Sequence, residues 1–148
     1  MPVLRRSFSN TVLWGEDMTL KECYELNGSD YEAALSRLGS EEVMDVIVTM
    51  FADDDTFSVL KSCIAEGNIE EAQRAAHKLK GVTSNIGFGL LASSSTEILG
   101  ALRNNDIQAA SAILQMTLSL YERTVAAVKA YCEQKKAASE KKSHSRSR

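Results

Sequence analysis

Residues 69–87 read IEEAQRAAHKLKGVTSNIG, and the spacing of their apolar side chains decides the fold. At about 100° per residue, Ala72, Ala75, Leu79, Val82 and Ile86 fall on one narrow stripe, the mark of a helix that buries a single face. Gly67-Asn68 stops the preceding element and Gly87 closes this one. His77 projects about 180° from the middle of the stripe, which places it exposed at mid-helix. Its neighbours on the outer face are Glu70, Gln73, Arg74, Lys80, Gly81 and Ser84.

The same period runs outward in both directions. Upstream, TLKECYEL (19–26) predicts a short helix capped by Thr19 and ended at Asn27-Gly28. DYEAALSRLG (30–39) predicts a second, entered through Ser29 or Asp30 and stopped at Gly39. Ser40 caps a longer element with Val43, Ile47, Met50, Phe57, Leu60 and Ile64 as its seam. Asp54 falls on that seam. A buried carboxylate is costly, so a kink or re-capped break is expected near Asp53–Asp55.

Downstream, Phe88, Leu91, Ile98 and Leu102 share a face of a helix from Phe88 to Arg103. The turn Asn104-Asn105-Asp106 leads into a last helix, expected over 106–133. Its stripe is Ile107, Ala110, Leu114, Leu118, Tyr121, Val125, Val128 and Cys132. The one proline, Pro2, lies outside this pattern, and no strand period or internal repeat competes with it. The fold expected is all-α: an antiparallel up-down four-helix bundle with short extra helices at its N-terminal side. The domain expected is 18–134, preceded by an extension, 1–17, expected to be disordered. Met18 is followed at once by a capped helix, which makes it a candidate start that N-terminal sequencing tests.

Charge divides the chain further. The body from 18 to 134 holds nine basic and 17 acidic side chains, a net of −8. Nucleic acid as main partner is excluded on that ground, because phosphate contacts need a basic footprint. Residues 135–148 carry six basic side chains and one acidic, a Lys/Ser-rich run expected as a disordered, solvated tail. No apolar run reaches the ~20 residues of a membrane helix. Three widely spaced cysteines without a C-x-x-C pair suit reduced thiols in a cytoplasmic protein.

His77 has two readings. The plainer one is a surface histidine without a role. Against it stand three of the body's nine cations, Arg74, Lys78 and Lys80, gathered around one imidazole. Gly81 also stands mid-helix, where glycine costs about 1 kcal/mol relative to alanine, and it clears space one turn from the ring. Metal binding is excluded by the partners available: Gln73 and Gly81 at i±4, Arg74 and Lys80 at i±3. A hydrolytic triad needs a pocket that a convex helix face does not offer, and Ser84 is two turns away. Nucleophilic catalysis by imidazole on a partner's electrophile remains, with cations to hold anionic oxygens. Phosphoryl transfer suits that set.

The stretch AHKLKGVTSNIGFGLL (76–91) resembles the histidine-containing phosphotransfer (HPt) domains of bacterial two-component phosphorelays, whose motif is approximately A-H-x-L-K-G-x-[SA]-x-x-x-G-x-x-x-L. Ala76, His77, Leu79, Lys80, Gly81, Gly87 and Leu91 stand at the matching places, and the resemblance extends over about 18–128. Thr83 replaces the usual Ser or Ala, and the Leu-Glu common near the end of the next helix is replaced by Glu97-Ile98-Leu99. The resemblance implies a phosphocarrier that accepts a phosphoryl group from a receiver-domain aspartate on Nε2 of His77 and passes it to another receiver. It implies no kinase activity of its own, and no glycine-rich ATP loop is present. Lys80 is expected to stabilise phosphoryl charge. Gly81, Lys78, Arg74, Gln73 and Ser84 are expected to form the receiver-docking face. The partners implied are receiver domains of response regulators or hybrid sensor kinases, met by a monomer, with magnesium held by the receiver and no cofactor on this chain. Two alternatives stay open: a phosphorylation-independent adaptor that docks a receiver or kinase, and a plain helical bundle without a site.

Overall fold

The computed structural model describes residues 18–146, with side chains described through Ala138; the expectation for 1–17 lies outside the described residues. Seven helices occupy the described chain: α1 (Leu20–Leu26), α2 (Tyr31–Leu38), α3 (Glu41–Ala52), α4 (Thr56–Ala65), α5 (Ile69–Ile86), α6 (Gly89–Arg103) and α7 (Ile107–Arg146). No strand occurs among the described residues. α4 packs on α5, α5 on α6, α6 on α7, and α4 closes the ring against α7. This is the expected helical bundle.

Capping explains the boundaries. Thr19 and Glu22 form a reciprocal capping box at α1. Asp30 and Ser40 accept from the backbone N–H groups of Ala33 and Val43 at α2 and α3. The break after Ala52 falls at Asp53–Asp55, where Asp54 Oδ1 accepts from Thr56 N at 2.7 Å. The carboxylate on the seam thus turns the chain and restarts it, so that it never enters the core.

Two apolar clusters fill the interior. One gathers Cys23, Tyr24, Met44, Val48, Phe51, Phe88 and Val128 around the N-terminal helices. The other gathers Phe57, Leu60, Leu79, Ile98, Leu102 and Leu114 inside the four-helix ring. Tyr121 packs against both and stacks on Phe57 at 3.9 Å between ring centroids. Burial lifts its phenol above the ordinary range, with the charges of Asp54 and Asp55 adding to the effect.

Three expectations change in register or extent. On α3 the buried side chains are Met44, Val48 and Phe51, while Val43 and Met50 are exposed, so the expected seam is rotated by one residue. The break at the elbow causes this: α3 and α4 are separate helices with separate buried faces, and a single wheel through both fits only the α4 half, Phe57, Leu60 and Ile64. On α5, Ala76 and Thr83 are buried while Val82 is half-buried. Thr83 Oγ1 donates to the Leu79 carbonyl at 2.8 Å, which satisfies its hydroxyl inside the core. The last correction concerns 135–148, expected as a disordered tail: α7 continues as helix to Arg146. Gln134 to Lys142 contain no glycine or proline and are rich in strong helix formers. The first turn of this extension is also tied down, with Lys135 Nζ paired to Asp45 at 2.8 Å and Gln134 Oε1 accepting from Met18 N at 2.8 Å.

Candidate functional site

The helix that carries His77 is held at both ends. Asn68 Oδ1 accepts from Glu71 N at 3.2 Å at its start. At its end Gly87 adopts the left-handed conformation (φ 96°), and the N–H groups of Gly87 and Phe88 both donate to the Thr83 carbonyl. A side chain at Gly87 is excluded twice, by that φ and by Ala34 Cβ, which would lie 2.8 Å from an added Cβ. The hairpin this turn creates folds α6 back along α5. Gln73 Nε2 donates to the Leu102 carbonyl at 3.1 Å across the pair.

His77 is exposed in the middle of α5. It lines a shallow depression with Glu70, Gln73 and Arg74 from its own helix and Leu99 and Arg103 from α6. Leu99 is buried and forms an apolar floor; Arg103 is exposed and brings a guanidinium from the neighbouring helix. Arg74 is paired with the carboxylate of Glu71 one turn earlier, so part of its charge is already compensated.

The expected docking residues therefore divide among three places. Gln73 and Arg74 share the depression of His77. Lys78 borders a different cleft, between α5 and the elbow joining α3 to α4. Ser84 belongs to a third, between α5 and α2, where its carbonyl accepts from Arg37 Nη2 at 3.1 Å. Lys80 is half-buried on the outer side of α5, and Gly81 beside it is exposed. An added Cβ at Gly81 would meet nothing within 4 Å. The glycine is thus not required by packing within this chain.

Arg103 and Leu99 were not among the expected residues. The signal was available in the hairpin: once Gly87 reverses the chain, residues before it face residues a similar distance after it. That reflection sets His77 against the neighbourhood of Ile98 and Leu99, with Arg103 one turn further on.

Chemically, the depression offers an exposed imidazole, a cation from each of two helices and an apolar floor. Among the described residues no group of three or more His, Cys, Asp or Glu side chains could hold a metal ion. No helix among them is long and apolar enough to cross a membrane. No curated protein and no solved structure matches the chain. Residues 40–138 match the family model of the Hpt domain, a span that includes α3 to α6 and most of α7. With the exposed mid-helix histidine and the helical bundle in place, the chain belongs to the Hpt domain family, whose function is histidine phosphotransfer in phosphorelays through interaction with receiver domains.

Proposed function

We propose that His77 is the phosphoacceptor of this Hpt domain, taking a phosphoryl group from the aspartyl phosphate of a docked receiver and passing it to a second receiver. The observation that carries the reading is the aim of His77: an exposed imidazole in the middle of a helix fixed at both ends, beside cations from two helices. In the forward step the ring nitrogen, Nε2 by resemblance to the family, attacks phosphorus in line. The N–P bond forms as the P–O bond to the aspartate breaks, and the carboxylate is released. The second transfer reverses these roles on another receiver.

Lys80 and Arg103 supply positive charge to the equatorial oxygens as negative charge spreads over them. Gly81 leaves the receiver's loops room to reach the ring, with Gln73, Arg74 and Ser84 contributing to the contact and Lys78 steering from the side. Magnesium belongs to the receiver's acidic pocket, since His77's face offers it no oxygen cage. The reading needs no second copy of the chain, because His77 and its neighbours come from α5 and α6 of one bundle. It places the protein in the cytoplasm, which the odd number of cysteines without a C-x-x-C pair also suits.

The test is incubation with a receiver labelled on its aspartate. The chain should gain label as a phosphoramidate, lost in acid and stable in alkali, and His77→Gln should abolish labelling without changing the melting temperature. Label on His77→Gln, or on His144, would overturn the assignment. A chain that binds the receiver and never takes label would be an adaptor.

A further inference from the structure

Gln73 stands one turn before His77 on α5, and both line the same depression. Its amide has a fixed sense. Nε2 donates to the Leu102 carbonyl of α6 at 3.1 Å, and a carbonyl can only accept, so the nitrogen of the amide must face α6. Oε1 is the other end, and among the described residues nothing donates to it. A tie between α5 and α6 is the plainer role for this side chain, and that role uses only one end of the amide.

Neutral imidazole carries its proton on one nitrogen, and the bond made there decides which tautomer holds. His77 has no hydrogen-bond partner among the described residues, so its exposed ring is free to turn. Nδ1 is bonded to Cγ and stays close to the helix, whereas Nε2 is the outer nitrogen. Side chains on a helix lean toward its N-terminus, which carries the ring back over the turn that holds Gln73 and Arg74. Arg74 can only donate and is already paired with Glu71. From α6, Leu99 is apolar and Arg103 can only donate. Lys78 and Lys80, the charged neighbours that follow on α5, are donors as well. Glu70 is an acceptor, but seven residues back it lies about 10 Å away along the axis. Oε1 of Gln73 is therefore the side-chain acceptor within a turn of Nδ1.

We infer that Gln73 is a positioning residue for His77: anchored to α6 through Nε2, it accepts from Nδ1–H of the neutral ring and so keeps the lone pair of Nε2 free and directed outward. The inference rests on His77 being the phosphoacceptor. As the N–P bond forms and the P–O bond to the receiver's aspartate breaks, the electron pair leaves with the carboxylate. The Nδ1 proton stays on the ring, where positive charge grows, and Oε1 stabilises that charge through the same N–H.

Nitrogen-15 NMR of the full chain labelled in histidine reads the tautomer with no receiver present, and His77→Gln identifies which of the two imidazoles is His77. At a pH where the ring is neutral, the parent should show mainly the Nδ1–H form, the minor form of free histidine. Gln73→Met, similar in length but without the amide, should invert this ratio and slow transfer from a charged receiver by several-fold. Gln73→Glu keeps an acceptor and gives up the donor to Leu102, so it should retain the Nδ1–H form even where its melting temperature matches that of Gln73→Met. Glu70→Ala should leave the ratio unchanged. A parent ring mainly in the Nε2–H form would overturn the inference, as would an Nδ1–H form that survives Gln73→Met. Loss of that form in Glu70→Ala would overturn it too, by giving the role to the Glu70 carboxylate. Because the tautomer is read on the unphosphorylated chain, a His77 that takes no label would strike the phosphoacceptor reading and leave the bond to Gln73 standing.

Discussion

Arg37 Nη2 donates to the Asn85 carbonyl at 2.6 Å and to the Ser84 carbonyl at 3.1 Å, so the last turn of the histidine helix is capped by a side chain from α2. Tyr24 of α1 adds a third such bond, its hydroxyl donating to the Ile86 carbonyl at 2.6 Å. The last carbonyls of a helix have no partner within it and carry the negative end of its dipole. A guanidinium there satisfies two of them and opposes the dipole. The family match begins at residue 40, yet α1 and α2 are not appendages: they close the end of the helix that presents His77.

Arg37→Ala should therefore lower stability by about 1 kcal/mol, the range of a solvent-accessible charged hydrogen bond at a helix terminus. Arg37→Lys should recover part of the loss, because an ammonium still opposes the dipole but the shorter side chain does not place its nitrogen where Nη2 meets both carbonyls. Urea unfolding of the three proteins checks this. Equal midpoints for all three would show that water replaces the guanidinium without cost.

Sequence periodicity was a sufficient guide wherever one helix buries one face. The aim of His77 and the stop at Gly87 follow from the α5 wheel alone, and the break at Asp53–Asp55 follows from a charge on an apolar seam. The α3 register is hidden because a single helical period carried through that break spans α3 and α4, which bury unrelated faces. Arg103 was hidden for another reason. It lies far along the chain from His77, and only the reversal at Gly87 brings it alongside. The continuation of α7 beyond residue 134 agrees with the helix formers of 134–142, whereas the tie from Lys135 to Asp45 at its first turn is a contact that no local pattern announces.

Asp45 provides a pH test of that continuation. Burial alone would raise its pKa, but hydrogen bonds from Lys135 and Tyr131, with the charge of Lys135, outweigh burial and hold the carboxyl below its ordinary value. A depressed folded pKa gives stability that is present above the unfolded value of about 3.9 and lost as pH falls through the folded value. The pair is partly exposed, so its worth is limited to about 1 kcal/mol or less. Asp45→Asn should lower stability at pH 7 and narrow its difference from the parent as pH falls below about 4. Truncation after Gln134 should show the same narrowing. A constant difference across that range would mean that Asp45 contributes through packing and not through its charge.

Arg74, Arg103 and Lys80 should not be equivalent. Arg74 is engaged by Glu71, whereas Arg103 reaches the same depression from α6 and Lys80 sits one turn beyond the histidine. Arg103→Ala and Lys80→Ala should each slow transfer from a charged receiver by about 10-fold, less than the ~100-fold or more of a donor in a dry site. Arg74→Ala should stay within about 2-fold, since its charge is already shared with an exposed partner. Rates from single-turnover loss of receiver label, with melting temperatures alongside, separate these cases. If Arg74→Ala is the most damaging of the three, Glu71 does not compensate it and the assignment of charges is wrong.

Gly81 separates a face built for a partner from one that is merely exposed. Glycine in a helix interior costs about 1 kcal/mol relative to alanine, and an added Cβ here would touch nothing within 4 Å. On an inert face Gly81→Ala would simply stabilise the protein, by up to about 1 kcal/mol, with no other effect. If a receiver closes over His77, a side chain one turn away occupies space that the receiver's loops require. Gly81→Gln should then keep or raise the melting temperature while transfer falls sharply, and Gly81→Ala should fall between Gln and the parent in rate. Loss of stability cannot produce that split, because the slower variants are the more stable ones. Parental rates for both would show that the opening beside His77 is not used in docking.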